Sequence, residues 1–344
     1  FGDGPRSMNI LFTSAGRRSY LLRWFRDALA GQGRVHAANS DAHASAFAAA
    51  DATVVTPLIH DPGYVDFLLG YCRDHAIGAI IPLFDIDLPV LAAARDRFAA
   101  IGVNVVVADP GVTAICNDKW RTFTYLKEQG LDVPASYVTL DAARRALDAG
   151  ELRFPVMVKP RWGMGSIGVY KAEDATELAV FHAKVAAEIQ RTYLRHESAA
   201  TPDATVLVQE CIDGEEHGLD VVNDLEGRHV TTFVKRKLAM RSGETDRAVT
   251  VDDPELHALG ARIGQALRQR GNLDMDVFRA RDGRLVVLEL NARFGGGYPF
   301  SHLAGADLPR AIVAWLQGRA PDPAWLTVKP GVDGVKDIIP ITIT

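Results

Sequence analysis

Between Leu273 and Gly297 the chain reads LDMDVFRARDGRLVVLELNARFGGG. Asp282-Gly283 is the signal of a tight hairpin turn, and apolar residues alternate on both sides of it. With these two as the turn residues, Arg281 pairs with Arg284, and counting outward sets Asp276 opposite Glu289 and Asp274 opposite Asn291. A four-residue loop keeps the same pairing. Period-two alternation then assigns Asp276, Phe278, Leu285, Val287, Glu289, Asn291 and Arg293 to one face, and Met275, Val277, Val286, Leu288 and Leu290 to the other. The second face is wholly apolar and is expected in the core. On the first, two carboxylates meet with Cβ atoms roughly 5 Å apart, which is destabilising for like charges. A shared proton relieves this by raising one pKa. A hard divalent cation relieves it as well, because Asp276, Glu289 and the Asn291 carbonyl are oxygen ligands suited to Mg²⁺. Arg293, on the same face, then meets an anion that the metal also holds. A solvated outer face is the competing reading, but Phe278, Leu285 and Val287 argue against it.

The 344 residues allow two or three domains, and 48% hydrophobic with 24% charged content is that of an ordinary soluble protein. A formal net charge of -5 gives no reason to expect nucleic acid or an anionic membrane as partner. Cys72, Cys116 and Cys211 are too scattered for a disulfide framework or a metal-binding pair, which favours a reducing, cytoplasmic compartment. No apolar run approaches the roughly 20 residues that span a bilayer. Phe1 to Ser7, ahead of Met8, reads as an added leader and is set aside.

From Asn9 onward the chain alternates strand and helix. Strands are expected at Ile10 to Phe12, Val35 to Ala38, Thr53 to Thr56, Ala79 to Leu83 and Val103 to Val107, with helices at Arg18 to Leu29, Tyr64 to His75 and Leu88 to Ala100. This pattern predicts a doubly wound parallel sheet over residues 8–108. The segment SAGRRS after the first strand lacks the glycines of a dinucleotide fingerprint, so an NAD-dependent oxidoreductase stays a minor alternative. Asp85 and Asp87 follow a buried strand, where such sheets place ligands, although Asp87 also suits a helix cap. A helix from Asn117 to Gly130, capped by Asp118, leads toward Pro134. Further helices are expected at Ala142 to Ala149, Glu173 to Leu194 and Pro254 to Arg270. Strands at Val206 to Glu210, Gly218 to Val222 and His229 to Lys235 suggest an antiparallel sheet.

Gly163-Met164-Gly165-Ser166-Ile167-Gly168 matches G-x-G-x-x-G, but a strand follows instead of a helix. It is therefore a glycine-rich hairpin flap, whose backbone N–H groups can approach phosphate oxygens. Lys159 closes the strand before it and is placed to bind phosphate. The catalytic segments of protein kinases and the Walker A pattern are missing. In FVKRKLAMRSGETD, Arg236, Lys237 and Arg241 read as a loop that closes over phosphates or holds a second carboxylate, against a merely solvated basic loop.

Taken in order, Lys159-Pro160 with its flap, VLVQECIDGEEHGLDVV, and the opening hairpin resemble the ATP-grasp superfamily, in particular carbamoyl-phosphate-synthase-like carboxylate–amine ligases. The resemblance implies two α+β subdomains that clasp ATP behind the N-terminal domain: a lid subdomain with linker helices over 109–205, a metal-bearing subdomain over 206–320, and a tail over 321–344. It also implies that Lys119 and Lys159 contact ATP phosphates under the flap residues Gly163, Gly165, Ser166 and Gly168. Gln209, Glu210, Cys211 and Ile212 then form the adenine hinge, and Glu215 or Glu216 binds ribose. Asp276, Glu289 and Asn291 hold two Mg²⁺ ions, with Mn²⁺ as a substitute. Arg293, Lys159 and Arg241 serve the transferring phosphate, with Lys237 beside the nucleotide.

The implied activity is amide or peptide bond formation through an acyl phosphate, releasing ADP and phosphate, with an amino acid or small peptide among the substrates and a homodimer as a compatible assembly. An ATP-binding regulatory protein with a degenerate grasp is the other alternative.

Overall fold

The computed structural model describes residues 7–342, so the stretch read as an added leader, Phe1 to Ser7, lies outside the described residues as far as Arg6. The first alternation forms five parallel strands: β1 (Asn9–Thr13), β2 (Val35–Asn39), β3 (Ala52–Val55), β4 (Ile77–Pro82) and β5 (Asn104–Val105). Helices α1 (Ser19–Leu29), α2 (Tyr64–Asp74) and α3 (Asp87–Ala99) connect them. The spatial order is β3-β2-β1-β4-β5, so the winding reverses between β1 and β4. Open parallel sheets leave a crevice beyond the carboxyl ends of their strands at such a reversal. Here the Ser14–Arg18 turn and the Asp85–Asp87 turn meet there, joined by the Ser14 hydroxyl donating to Asp87 Oδ2 at 3.0 Å.

Helix α4 (Pro110–Asn117) follows, with Pro110 in its first turn, and α5 (Lys119–Glu128) starts as expected at Asp118. The Asp118 carboxylate accepts from Trp120 N and Arg121 N and also receives both Arg161 Nε and Nη2 at 2.7 Å. That pair fixes the start of α5, with Lys119, to the chain just after Lys159.

A four-stranded antiparallel sheet comes next, ordered β6-β9-β7-β8 from β6 (Ser136–Tyr137), β7 (Val156–Pro160), β8 (Tyr170–Ala172) and β9 (Val206–Glu210). Helix α6 (Leu140–Asp148) packs beside it, and α7 (Ala175–Arg191) lies across it. The helix expected to run to Leu194 breaks at Thr192, whose extended backbone separates α7 from α8 (Leu194–Ser198).

The third sheet is antiparallel and six-stranded, ordered β14-β13-β10-β11-β12-β15. Its members are β10 (Gly214–Asn223), β11 (His229–Arg241), β12 (Glu244–Thr250), β13 (Gly271–Ala280), β14 (Leu285–Asn291) and β15 (Asp333–Val335), with α9 (Pro254–Leu267), α10 (Tyr298–Leu303) and α11 (Leu308–Leu316) around them. The basic segment expected as a loop is instead the β11–β12 hairpin, and β15, in the expected tail, completes the sheet edge.

The cores explain how these sheets move together. One cluster joins Leu11, Leu68 and Phe98 to Leu219, Met275 and Leu290; another joins Phe12 and Phe25 to Phe233 and Ile312. The first and third sheets therefore share their apolar interior. The four-stranded sheet has its own cluster, including Val156, Val158, Leu178, Ile189 and Val208. A unit with a separate core is the one that can shift relative to its neighbours. Among the described residues no helix is long and apolar enough to cross a membrane.

Candidate active site

The register at the charged end of the β13–β14 hairpin is the expected one: Asp276 opposes Glu289, and Asp274 opposes Asn291. The route to it is different. Gly283 N donates to Ala280 O and Ala280 N to Arg284 O, both at 2.9 Å, so the loop is the three residues Arg281, Asp282 and Gly283. Gly283 takes φ +87°, the left-handed conformation that this loop type requires and glycine adopts without penalty. Ala280, and not Arg281, therefore faces Arg284. An irregularity between Asp276 and Val277 pairs Val277 with Val287 and restores the outer register. The two offsets cancel at the carboxylates but exchange faces between them. Val287 joins the core with Met275, Val277 and Leu290, whereas Leu288, expected in that core, lines the site beside Phe278.

Charges from four strands meet on this face. Lys237 on β11 places Nζ 2.8 Å from Glu216 Oε1 and 2.6 Å from Asp276 Oδ1. Lys119 Nζ lies 3.5 Å from Glu289 Oε1. Burial raises the Asp276 carboxyl above the ordinary range; Lys237 opposes the rise, and Asp274, Glu216 and Glu289 add to it. Burial also acts to raise Glu289, but Lys119, Lys159 and Arg293 outweigh it and hold that carboxyl low. Lys159 is pushed down to about 8, first by burial and then by Lys119, with the acids opposing. Burial would lower Lys237 too, yet Asp276, Glu216 and Asp274 raise it.

A cavity of about 340 Å³ opens between this face and the flap. Lys119, Lys159, Glu216, Asp276 and Glu289 form its polar wall, and Gly163, Gly165 and Ser166 its roof. Ser166 adopts φ +60°, unusual for a residue with a side chain, at the tip of the flap. That tip rests on the β11–β12 turn: a Cβ on Gly243 would lie 2.4 Å from Gly165 C. Lys119 Nζ donates to Gly163 O at 2.5 Å, tying the flap's first glycine to α5.

Gln209, Glu210, Cys211 and Ile212 line the opposite end. Gln209 Nε2 donates to Ser136 Oγ at 2.9 Å, and the Glu210 carboxylate accepts from Ala135 N at 3.0 Å. The Glu210 carboxylate and the Gln209 amide nitrogen are committed to the protein, while the buried Gln209 Oε1 has no partner. Glu216 stands in the cavity wall, whereas Glu215 is exposed and pairs with Arg236 at 3.1 Å. Arg241 is half-exposed, pairs with Asp246 at 3.1 Å and is not brought to the cavity lining. Asn291 and Arg293 line a smaller adjoining pocket with Asp274 and Asp276.

Arg293 is buried and occupied. Its Nε and Nη2 donate to Asp85 Oδ2 at 3.1 and 2.9 Å, and Nη1 to Asp274 Oδ2 at 3.1 Å. Asp85 thus links the first sheet to the segment that follows the β13–β14 hairpin. Asp87 does something else: fully buried, it accepts from Tyr64 OH at 2.8 Å and from Ser14, without capping α3. Arg18, Asp274 and Glu244 also face the smaller pocket; sequence reasoning gave Asp274 and Glu244 no role and placed Arg18 only at the end of a turn, Ser14 to Arg18, expected to bear on substrate choice. The position of Arg18 just after β1, at the sheet reversal, was the available signal.

Asp276 and Glu289 fit a hard cation. Asp276 Oδ1 is buried and answered only by the Lys237 ammonium at 2.6 Å, and burial, with the acidic neighbours adding to it, disfavours its ionised form, so a second cation is accommodated there. Among the described residues no group of three or more His, Cys, Asp or Glu is arranged to hold a metal. Two carboxylates and an amide suit an ion such as Mg²⁺, which takes its remaining ligands from water and substrate phosphates.

Comparison with known proteins agrees with this architecture. Residues 10–106 match the PylC-like N-terminal domain, and residues 152–299 match the ATP-grasp domain. The vancomycin/teicoplanin A-type resistance protein VanA of Enterococcus faecium is 27% identical over 248 residues, covering 64% of this chain and 68% of that protein. A D-alanine–D-alanine ligase of Alcanivorax borkumensis is 34% identical over 189 residues, covering 52% of this chain and 55% of its own length. In fold, an L-amino acid ligase from Bacillus licheniformis superposes with a TM-score of 0.73 at 20% identity, covering 98% of this chain and 82% of that one.

Proposed function

With a PylC-like N-terminal domain joined to an ATP-grasp domain, the chain belongs to the ATP-grasp ligases, and we propose that it joins a carboxylate to an amine through an acyl phosphate. The observation that carries this reading is the cavity walled by Lys119, Lys159, Glu216, Asp276 and Glu289 under a glycine flap. Its apolar end, at Cys211 and Ile212, takes the purine through backbone groups, with Glu216 at the ribose. The phosphates then run beneath Gly163, Gly165 and Ser166 toward Lys119 and Lys159.

In the first step a substrate carboxylate oxygen bonds to the γ-phosphorus as the bond from that phosphorus to the β,γ-bridging oxygen breaks, leaving ADP. In the second an amine nitrogen bonds to the acyl carbon, the bond from that carbon to the phosphate oxygen breaks, and the nitrogen loses a proton. Phosphoryl transfer depends mostly on positioning and charge stabilisation. Lys159 supplies positive charge where the transferring group gains negative charge. Asp276, Glu289 and Asn291 would hold the Mg²⁺ ions, whose contribution there is charge neutralisation and polarisation of phosphate oxygens. Arg293 gives four of its five N–H groups to Asp85, Asp274 and Phe294 O, so it offers a phosphate one further N–H while it holds Asp274 in place.

Amino acids are the proposed substrates, supported by the names of the D-alanine–D-alanine ligase and the L-amino acid ligase. ADP release on adding ATP, Mg²⁺ and a panel of amino acids, followed by the mass of the product, tests the reading. Binding of ATP without ADP release across acids and amines would overturn it.

A further inference from the structure

The smaller pocket, about 70 Å³, opens from the phosphate end of the cavity and has room for a small molecular head group but not for a nucleotide. Four acids line it: Glu244, Asp274, Asp276 and Glu289. A carboxylate substrate entering here meets a repulsive field unless a cation answers it.

Two of the three cations in its lining are already engaged. Arg293 is held by Asp85 and Asp274, and Lys237 by Glu216 and Asp276. Arg18 is the exception. It carries five N–H donors, and among the described residues its one directional hydrogen bond runs from Nη1 to Phe294 O at 3.0 Å, with the Tyr20 hydroxyl alongside. Its Nη2 stands 4.0 Å from Glu244 Oε1, beyond hydrogen-bonding distance. The two charges form a long ion pair with no hydrogen bond between them, which a ligand carrying both charges can replace. Glu244, at the start of β12, is backed on its other oxygen by Lys336 at 3.4 Å. Burial would raise its carboxyl, but Arg18, Lys336 and Arg17 hold it below the ordinary range, so it is ionised at neutral pH. Gly296 gives that carboxylate its seat, since a Cβ there would stand 3.1 Å from Glu244 Cδ.

We propose that Arg18 and Glu244 form the specificity-determining clamp for the carboxylate substrate, an α-amino acid bound as a zwitterion, with its carboxylate on Arg18 and its ammonium on Glu244. The inference rests on the ligase reading and deepens it by naming the two residues that select an unblocked amino acid. Two adjacent opposite charges on the protein match the two adjacent charges of an α-amino acid. A simple acid would leave Glu244 unanswered beside its own negative charge.

The test uses the full chain with ATP and Mg²⁺, and follows ADP release with free L- and D-amino acids, each paired with its N-acetyl and its C-terminal amide derivative. A free amino acid is expected to stimulate release, and both derivatives to fail. Glu244→Gln, at a half-exposed position that leaves folding intact, is expected to raise KM for the amino acid about tenfold or more, the loss of one charge-assisted contact. Its KM for ATP should stay within about twofold. Arg18→Gln, which keeps a donor for Phe294 O, should do the same. Equal use of the N-acetyl derivative, unchanged amino-acid KM in both variants, or ATP binding with no response to any free amino acid would each overturn the clamp. Loss of ATP binding in the unmodified protein would instead overturn the ligase reading itself.

Discussion

Asp276 and Glu289 stand opposite one another on β13 and β14, yet their surroundings push their carboxyls in opposite directions. Asp276 is raised by burial and by Asp274, Glu216 and Glu289 in spite of Lys237, while Glu289 is held low by Lys119, Lys159 and Arg293 in spite of burial. The pair is therefore asymmetric, although the strands present the two acids in equivalent positions.

Replacing either acid with its amide should abolish ADP release, by about 100-fold or more if both hold the metal. Stability should separate them. For an acid whose folded pKa is raised, stability is lost as pH climbs from the unfolded value through the folded one. Asp276→Asn removes that loss and leaves Lys237 paired with Glu216, so the variant should be as stable as the parent near neutral pH or more so. Glu289→Gln removes a carboxylate favoured by three cations and should cost about 1 kcal/mol. Urea titration without nucleotide checks both signs. Equal destabilisation would contradict the asymmetry, and normal ADP release from Glu289→Gln would contradict its metal role.

Lys159 predicts opposite pH trends for binding and folding. Burial and Lys119 lower its ammonium pKa from 10.5 to about 8, so above that pH the folded protein loses the charge proposed to meet phosphate. ATP affinity should fall by up to about tenfold per pH unit above that point. For folding the sign reverses. Between the folded and unfolded values the unfolded chain holds the extra proton, so this group's contribution to stability rises with pH over that window. Calorimetric ATP binding and denaturant unfolding at pH 7.5 and 9.5 are the measurements, with Lys159→Met as the control that should flatten both trends.

The flap and the β11–β12 turn make a prediction that needs no charge. Gly243 has φ +77°, and a methyl group there would stand 2.4 Å from Gly165 C. Gly243→Ala should separate the turn from the flap and weaken ATP binding several-fold, while the left-handed φ adds about 1 kcal/mol of local strain and lowers the melting temperature by only a few degrees. Unchanged ATP affinity by calorimetry would show that the flap does not depend on this contact.

The outer register of the β13–β14 hairpin was legible because period-two alternation and one turn signal are local properties. Loop length was not, and the correct pairing at Asp276 and Glu289 survived only because the irregularity beside Asp276 offset the longer loop. Helix α4 was missed since PGVTAICN combines glycine with β-branched residues, and its Pro110 start is a helix signal only once the preceding strand has been ended. The polar strand β12 was missed because its pairing with β11 and β15 is tertiary. Arg18 and Phe294 are 276 positions apart, and Arg293 and Asp85 are 208 apart, so these contacts depend on how the first and third sheets dock. Chemistry-bearing residue types can be recognised in the chain; which of them remain free for a ligand is decided by packing.

The Asp85–Arg293 contact carries the last prediction. Both residues are buried, and Asp85 Oδ1 has no hydrogen-bond partner, so the acid is retained at some desolvation cost while its other oxygen binds the guanidinium. Removing one partner of a buried pair costs about 3–5 kcal/mol when the other charge is left alone. Arg293 keeps Asp274, so Asp85→Ala should cost less, about 2 kcal/mol. Asp85→Asn, which retains an acceptor, should cost about half of that. If the contact also holds Asp274 at the phosphate end, both variants should lower kcat more than they raise KM for ATP, because the cavity around Glu216 and the hinge is remote from the change. Denaturant unfolding with steady-state ADP release measures the two effects. A variant that loses stability with kcat unchanged would confine Asp85 to docking the first sheet against the third.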